Sequence, residues 1–106
     1  MTEQGSVTKV SDLPTWIEFQ VAAKERGCTE AVVREWDPQQ VVVEHSHPFT
    51  AEALIVKGEM WLGRAGRVDH LLPGDTFVLV AGERHDERYG PVGATYWVAR
   101  TSTADA

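Results

Sequence analysis

From Glu30 to Arg100 the sequence is a succession of short runs rich in β-branched and aromatic residues, separated by turn residues. There are roughly seven or eight such runs, with a turn signal about every 8 to 12 residues. Two turns are especially clear: "RAGR", with Gly66, has the composition of a hairpin tip, and "LLPGD" places Pro73 and Gly74 in a tight turn. Regularly spaced short strands are typical of an all-β sandwich or barrel.

The length of the chain limits it to one hydrophobic core. A chain of 106 residues has the size of a single domain, so we expect residues 1–106 to form one domain with the barrel at about 30–100. Its 42% hydrophobic and 25% charged residues are ordinary for a soluble globular protein. This composition argues against a disordered or fibrous protein.

Charge and the N-terminal sequence exclude several classes of partner. The formal net charge is −6 and the lysines and arginines are scattered, which argues against binding to nucleic acid. The first residues, "MTEQGSVTKV", have neither a basic segment nor an apolar one, and no apolar stretch approaches the roughly 20 residues that cross a bilayer. We therefore expect a cytoplasmic protein with no membrane partner.

One helix is expected ahead of the strands. The apolar positions of "SDLPTWIEFQVAAKERG" fit either a strand or a helix. Pro14 or Thr15 near its start, the basic "KER" near its end and Gly27 just beyond are boundary signals of a helix. The sequence therefore predicts a short helix from about Thr15 to Arg26.

Two histidines one residue apart are the first candidate for chemistry. Because successive side chains of a strand alternate between faces, His45 and His47 point the same way, together with Val41 and Val43, and this face should look into a core or cavity. Two neutral imidazoles in this arrangement can chelate a divalent ion, although such a pair also occurs by chance on protein surfaces. His85, after a second strand and a glycine turn, could lie on a neighbouring strand and reach the same cavity.

The stretches around these histidines resemble the two motifs of the cupin superfamily, G-x5-H-x-H-x3-4-E-x6-G and G-x5-P-x-G-x2-H-x3-N. In the first motif, Gln39 or Gln40 stands in the region of the leading glycine, and the matching residues are His45, His47 and Gly58. In the second motif, Val80 replaces the proline, Tyr89 replaces the asparagine, and the matching residues are Gly74, Gly82 and His85, with Asp75 forming the usual Gly-Asp turn. The resemblance covers about Val33 to Arg100.

This resemblance implies a double-stranded β-helix, a jelly-roll barrel whose interior holds a divalent transition metal, commonly Fe, Mn, Ni, Cu or Zn. It implies that the ion is bound by His45, His47 and His85 and usually by a glutamate. A small metal-binding cupin of this kind would be an enzyme acting on a small organic molecule, of the dioxygenase or isomerase/lyase type; the alternative is a module that only binds or senses a small ligand. Because cupins often dimerise, a homodimer is expected.

Glu52 is the candidate fourth ligand, and its spacing is ambiguous. It follows His47 at a distance that the first motif permits, but only five residues separate it from Gly58 where the motif has six, which gives the ligand position to Ala51. In a regular strand Glu52 would face away from the histidines, whereas a bulge or a shortened turn would bring it back. A direct ligand and a solvated carboxylate therefore stay open as alternatives.

Glu87 and Tyr89 are the candidate catalytic residues, since both share the strand parity of His85. Glu87 could be a fourth ligand, a partner of a ligand or a general base, or it could lie in water. Tyr89 could form a cavity wall with a hydrogen-bonding hydroxyl, or simply belong to the core. By contrast, His70 is expected to be exposed, and the single cysteine, Cys28, to be partly buried and unpaired.

Overall fold

The computed structural model describes residues 13–102, which form one short helix followed by six strands. Two of the strands are much longer than the rest, with 16 and 18 residues. The elements in chain order are α1 (Trp16–Glu25), β1 (Glu30–Trp36), β2 (Val41–His45), β3 (Phe49–Arg64), β4 (Arg67–Leu71), β5 (Thr76–Leu79) and β6 (His85–Ser102).

The long strands β3 and β6 pair with each other in antiparallel fashion along almost their whole length, from Phe49 opposite Ser102 to Gly63 opposite Asp86. Each therefore runs through both halves of the molecule. In one half the order is β1, the end of β6, the start of β3 and β5; in the other it is β2, the start of β6, the end of β3 and β4. The predicted all-β, double-stranded β-helix with one N-terminal helix is confirmed.

The prediction of seven or eight short strands was wrong in its count, because several of the runs join. "FTAE" and "ALIVKGEMWLG" are continuous in β3, and "DERYGPVG" and "ATYWVAR" are continuous in β6. Glycines inside these strands therefore mark bends and not strand ends. At the middle of both strands Gly58 and Gly93 have φ of 78° and 76°, and a Cβ on Gly58 would collide with the carbonyl oxygen of Gly93.

Helix α1 begins with a reciprocal cap. The Thr15 hydroxyl accepts a hydrogen bond from the Glu18 amide at 3.1 Å, and the Thr15 amide donates to the Glu18 carboxylate at 2.8 Å. Trp16 and Phe19 pack edge-on against Trp97 of β6, at ring centroid distances of 5.3 and 5.6 Å. The helix therefore lies where the sequence predicted it and covers the outer face of one half of the sheet.

The core lies between the two halves of the sheet. Ile55, Met60, Leu62 and Tyr89 are completely buried there, and Phe77 is 6% exposed. Removing such side chains from water is the main stabilising contribution to a small all-β domain. Within residues 13–102 no helix has the length and apolar character needed to cross a membrane.

Candidate metal centre and its cavity

Three histidines meet at the edge of the core. Their ligand nitrogens all lie within 4.8 Å of one another. His45 ends β2 and pairs directly with His85 at the start of β6, with their rings 4.3 Å apart. The ring of His47, just beyond β2, lies 4.7 Å from that of His45 and 5.1 Å from that of His85.

A β-bulge in β2 turns His45 inward. Val42 pairs with Glu87 and His45 with His85, so β2 has one more residue than β6 between these two pairs. Val42 consequently packs against the core, whereas Val41 and Val43 are 63% and 75% exposed. The prediction that Val41 and Val43 share the inward face of the histidines was wrong, because it assumed a regular strand.

Backbone carbonyls orient two of the imidazoles. Nδ1 of His45 lies 2.8 Å from the carbonyl oxygen of Val43, and Nδ1 of His85 lies 3.0 Å from that of Glu83. A carbonyl oxygen can only accept a hydrogen bond, so Nδ1 carries the proton in both rings. The Nε2 lone pair of each ring is therefore free to bind a metal.

The donor atoms fit a divalent transition metal. Nε2 of His85 is buried and has no hydrogen-bond partner, and Oε2 of Glu87, 3.3 Å away, lacks hydrogen-bond geometry toward it. A buried nitrogen without a partner is costly unless something binds it. Burial lowers the pKa of His47 from its ordinary value of 6.5, and the neighbouring His45 and His85 lower it further. His47 is thus kept in the neutral form that a metal requires.

Glu87 lies beside these histidines, and only one of its two carboxylate oxygens accepts hydrogen bonds from tyrosine hydroxyls. It is 4% exposed, and its Oε1 accepts hydrogen bonds from the hydroxyls of Tyr89 and Tyr96, the latter at 3.3 Å. Burial raises the pKa of both tyrosines well above its ordinary value and the nearby Glu87 raises it further, so both remain protonated donors. Oε2 is left facing His85.

Tyr89 belongs to the hydrophobic core. It is completely buried and its ring stacks on Trp36 at 5.1 Å. Tyr96 lines the cavity, which Tyr89 does not. Counting alternate residues from His85 would turn Tyr96 outward, but the bend at Gly93 shifts the alternation so that even-numbered residues of β6 face inward beyond it.

Glu52 lies on the other face of the sheet. The pairing of β3 with β6 is regular from Phe49 to Ile55, so no bulge turns Glu52 inward. Ala51 faces the cavity in its place, while a Glu52 carboxylate oxygen lies 3.0 Å from the Arg26 guanidinium beyond the end of α1. The proposed role of Glu52 as a metal ligand is therefore corrected: of the two positions that the motif allowed, the inward one belongs to Ala51.

A cavity of about 110 Å³ extends from the histidines between the two halves of the sheet. Its walls are largely apolar and are formed by Trp36, Phe49, Ala51, Phe77, Leu79 and Val98. Its polar groups are those of His45, His47, Glu87, Tyr96, Arg34 and Arg100. Sequence reasoning missed the two arginines; alternation along β1 from the core residue Trp36 could have found Arg34.

The remaining histidine and the cysteine lie apart from this site. His70 is on β4, stacked on Trp61, and its Nε2 is 2.6 Å from a carboxylate oxygen of Glu59. Its side chain is 46% exposed, as predicted. Cys28 is partly buried and forms no disulfide within the described chain, also as predicted.

Solved structures share this architecture. The chain is similar to an uncharacterized conserved protein with a double-stranded beta-helix domain from Klebsiella pneumoniae (25% identity over 68% of this chain and 65% of that one, TM-score 0.60). It is also similar to the DMSP lyase DddQ from Ruegeria pomeroyi (22% identity, 73% and 40%, TM-score 0.65). A third similar structure is the Cnp3 cupin domain of Schizosaccharomyces pombe (10% identity, 71% and 53%, TM-score 0.65).

No protein-family model and no curated protein matches the sequence. At the identities found among solved structures, the likeness concerns the fold and not the activity. With its two long bent strands, its paired four-stranded halves and these neighbours, the chain has a double-stranded β-helix fold, which it shares with the Cnp3 cupin domain.

Proposed function

We propose that the protein is a metal-dependent cupin enzyme in which His45, His47 and His85 bind one divalent transition-metal ion and a small organic molecule occupies the cavity beside it. The observation that supports this most is the convergence of three imidazole nitrogens within 4.8 Å, one of them buried without a partner. Imidazole ligands suit Fe, Ni, Cu and Zn better than Mn, so the donor set alone does not select a single metal.

Three protein ligands leave coordination positions open, as a catalytic ion requires. When bound, the ion would supply Lewis-acid polarisation of a substrate oxygen. Glu87 would accept a proton through Oε2, the oxygen that the tyrosine hydroxyls leave free. Tyr96, at the cavity wall, would orient the carboxylate and help exclude water.

A buried carboxylate beside the ligands favours proton transfer, so an isomerase or lyase activity is the preferred reaction type and a dioxygenase the second. One structural neighbour is by its name a lyase. Solvent deuterium exchange into carbonyl compounds, followed by NMR, tests the first type, and oxygen uptake with Fe(II) tests the second. The homodimer, the cytoplasmic location and the lack of nucleic-acid or membrane partners remain predictions.

Metal analysis of the purified protein tests the proposal directly. Protein that is purified without chelator, or to which metal is added back by titration, should hold about one equivalent of a transition metal. The variants His45→Ala and His85→Gln should hold far less. His70→Ala is the matched control, because this histidine lies on the outer face. If the wild type binds well under one equivalent, or if His45→Ala and His85→Gln retain the metal, the proposal fails and a purely ligand-binding module takes its place.

A further inference from the structure

More cationic than anionic side chains line the cavity, although the protein as a whole is acidic. The chain has a formal net charge of −6, but two arginines and a single carboxylate line the cavity. That carboxylate, Glu87, already accepts hydrogen bonds from two tyrosine hydroxyls. A bound divalent ion would add further positive charge to the same space.

Arg100 reaches the cavity from the inward face of β6. Its guanidinium carbon lies 4.7 Å from the centroid of the Phe49 ring, which holds the group in place. Nη1 is bonded to Glu30 at 3.1 Å, on the solvent side, where the Glu30 side chain is 54% exposed. Nε is buried and has no hydrogen-bond partner. Part of this guanidinium is thus free to bind a ligand.

Arg34 reaches the cavity from β1, the strand next to the end of β6 in the same half. It pairs across β1 and β6 with Tyr96, and its guanidinium carbon lies 4.8 Å from the centroid of the Trp36 ring. No carboxylate of residues 13–102 forms an ion pair with Arg34. Arg34 is partly buried and its charge has no anionic partner among these residues, so it is available to pair with an anion bound in the cavity.

We infer that Arg34 and Arg100 bind the carboxylate of a small organic acid, whose remaining atoms extend toward the three histidines. This inference rests on the proposed function, since it assigns the substrate class of the same site. A guanidinium group matches a carboxylate with two parallel hydrogen bonds, which makes arginine the residue suited to this recognition. The cavity of about 110 Å³ restricts the acid to a short one, and Phe77, Leu79 and Val98 give it an apolar wall.

The test compares acids with neutral molecules of the same shape. Propionate, pyruvate and benzoate are titrated calorimetrically against propionamide, pyruvamide and benzamide, with Zn(II)-loaded protein and with protein stripped of metal by chelation. At least one acid should bind about tenfold or more tightly than its amide. Arg34→Gln and Arg100→Gln should each remove most of this preference. Arg88→Gln is the matched control, because Arg88 lies on the outer face of the same strand, over Trp61.

If Arg100→Gln does not fold, Arg100→Lys is used instead, because lysine keeps the positive charge and loses the paired hydrogen bonds. Arg100→Lys should bind the acid several-fold more weakly than the wild type does. The inference is overturned if no acid binds, if acids and amides bind equally, or if the arginine variants retain the preference. Failure of every transition metal tested to bind would reject the metal proposal separately, because acid binding is also measured on the metal-free protein.

Discussion

Each face of the long strands carries a glutamate, and the two glutamates have different surroundings. On the inner face Glu87 is 4% exposed and accepts hydrogen bonds from two tyrosines beside His85. On the outer face Glu52 pairs with Arg26, and both side chains are partly accessible to water, at 39% and 47%. The first motif left open whether Glu52 is a metal ligand or a solvated carboxylate. The comparison shows that strand register, and not proximity in sequence, determines which carboxylate faces the histidines.

The largest effect is expected from removing the charge of each glutamate in turn. Glu87→Gln should lower turnover by about 10²-fold to 10⁴-fold, because it removes the proposed base. Glu52→Gln should change turnover less than about twofold and stability by at most about 1 kcal/mol, as for other exposed ion pairs. Turnover is measured with the substrate found in the proton-exchange screen, and metal content is measured alongside.

If Glu87→Gln and Glu52→Gln changed turnover equally, the proposed difference between the inner and outer faces would be contradicted. Loss of metal affinity by more than about 100-fold in Glu87→Gln would identify Glu87 as a fourth ligand and not as a base. Unchanged turnover in Glu87→Gln would remove it from the chemistry altogether.

Substitutions on the inner face should also cost more stability than substitutions on the outer face. Leu62 is completely buried in the core, and Leu62→Ala should cost about 2 to 5 kcal/mol in the free energy of unfolding. Val68, on the neighbouring strand β4, is 64% exposed, and Val68→Ala should cost about 0.5 kcal/mol or less. Urea denaturation measures both, and a cost for Val68→Ala close to that of Leu62→Ala would show that the outer face is covered by another surface.

The smallest effect is a pH dependence at the inner face. Because the pKa of His47 is lowered below its ordinary value of 6.5, the unfolded chain takes up a proton there before the folded chain does. The metal-free protein should therefore lose stability as the pH falls through about 6.5. The slope between about pH 7.5 and pH 5.5 should be smaller in His47→Gln. Urea midpoints measure it, and an identical slope in both proteins would contradict the assignment.

Much of the fold could be predicted because its signals are local. The capping residues Thr15 and Glu18 define the start of α1 within a few positions of sequence. The alternation of apolar residues and the turn at Pro73 and Gly74 define strands without reference to distant parts of the chain. The spacing of the histidines likewise predicted a site that only a rolled-up sheet could assemble.

The sequence by itself determined the all-β class, the helix and the set of histidines, since each depends on neighbours along the chain. The tertiary structure alone decided which side chains share the cavity. The bulge before His45 and the bend at Gly93 each shift the alternation of the strand, which turns Val43 outward and Tyr96 inward. The regular pairing of β3 places Glu52 outside. These orientations depend on hydrogen bonds between strands far apart in sequence, which no local pattern records.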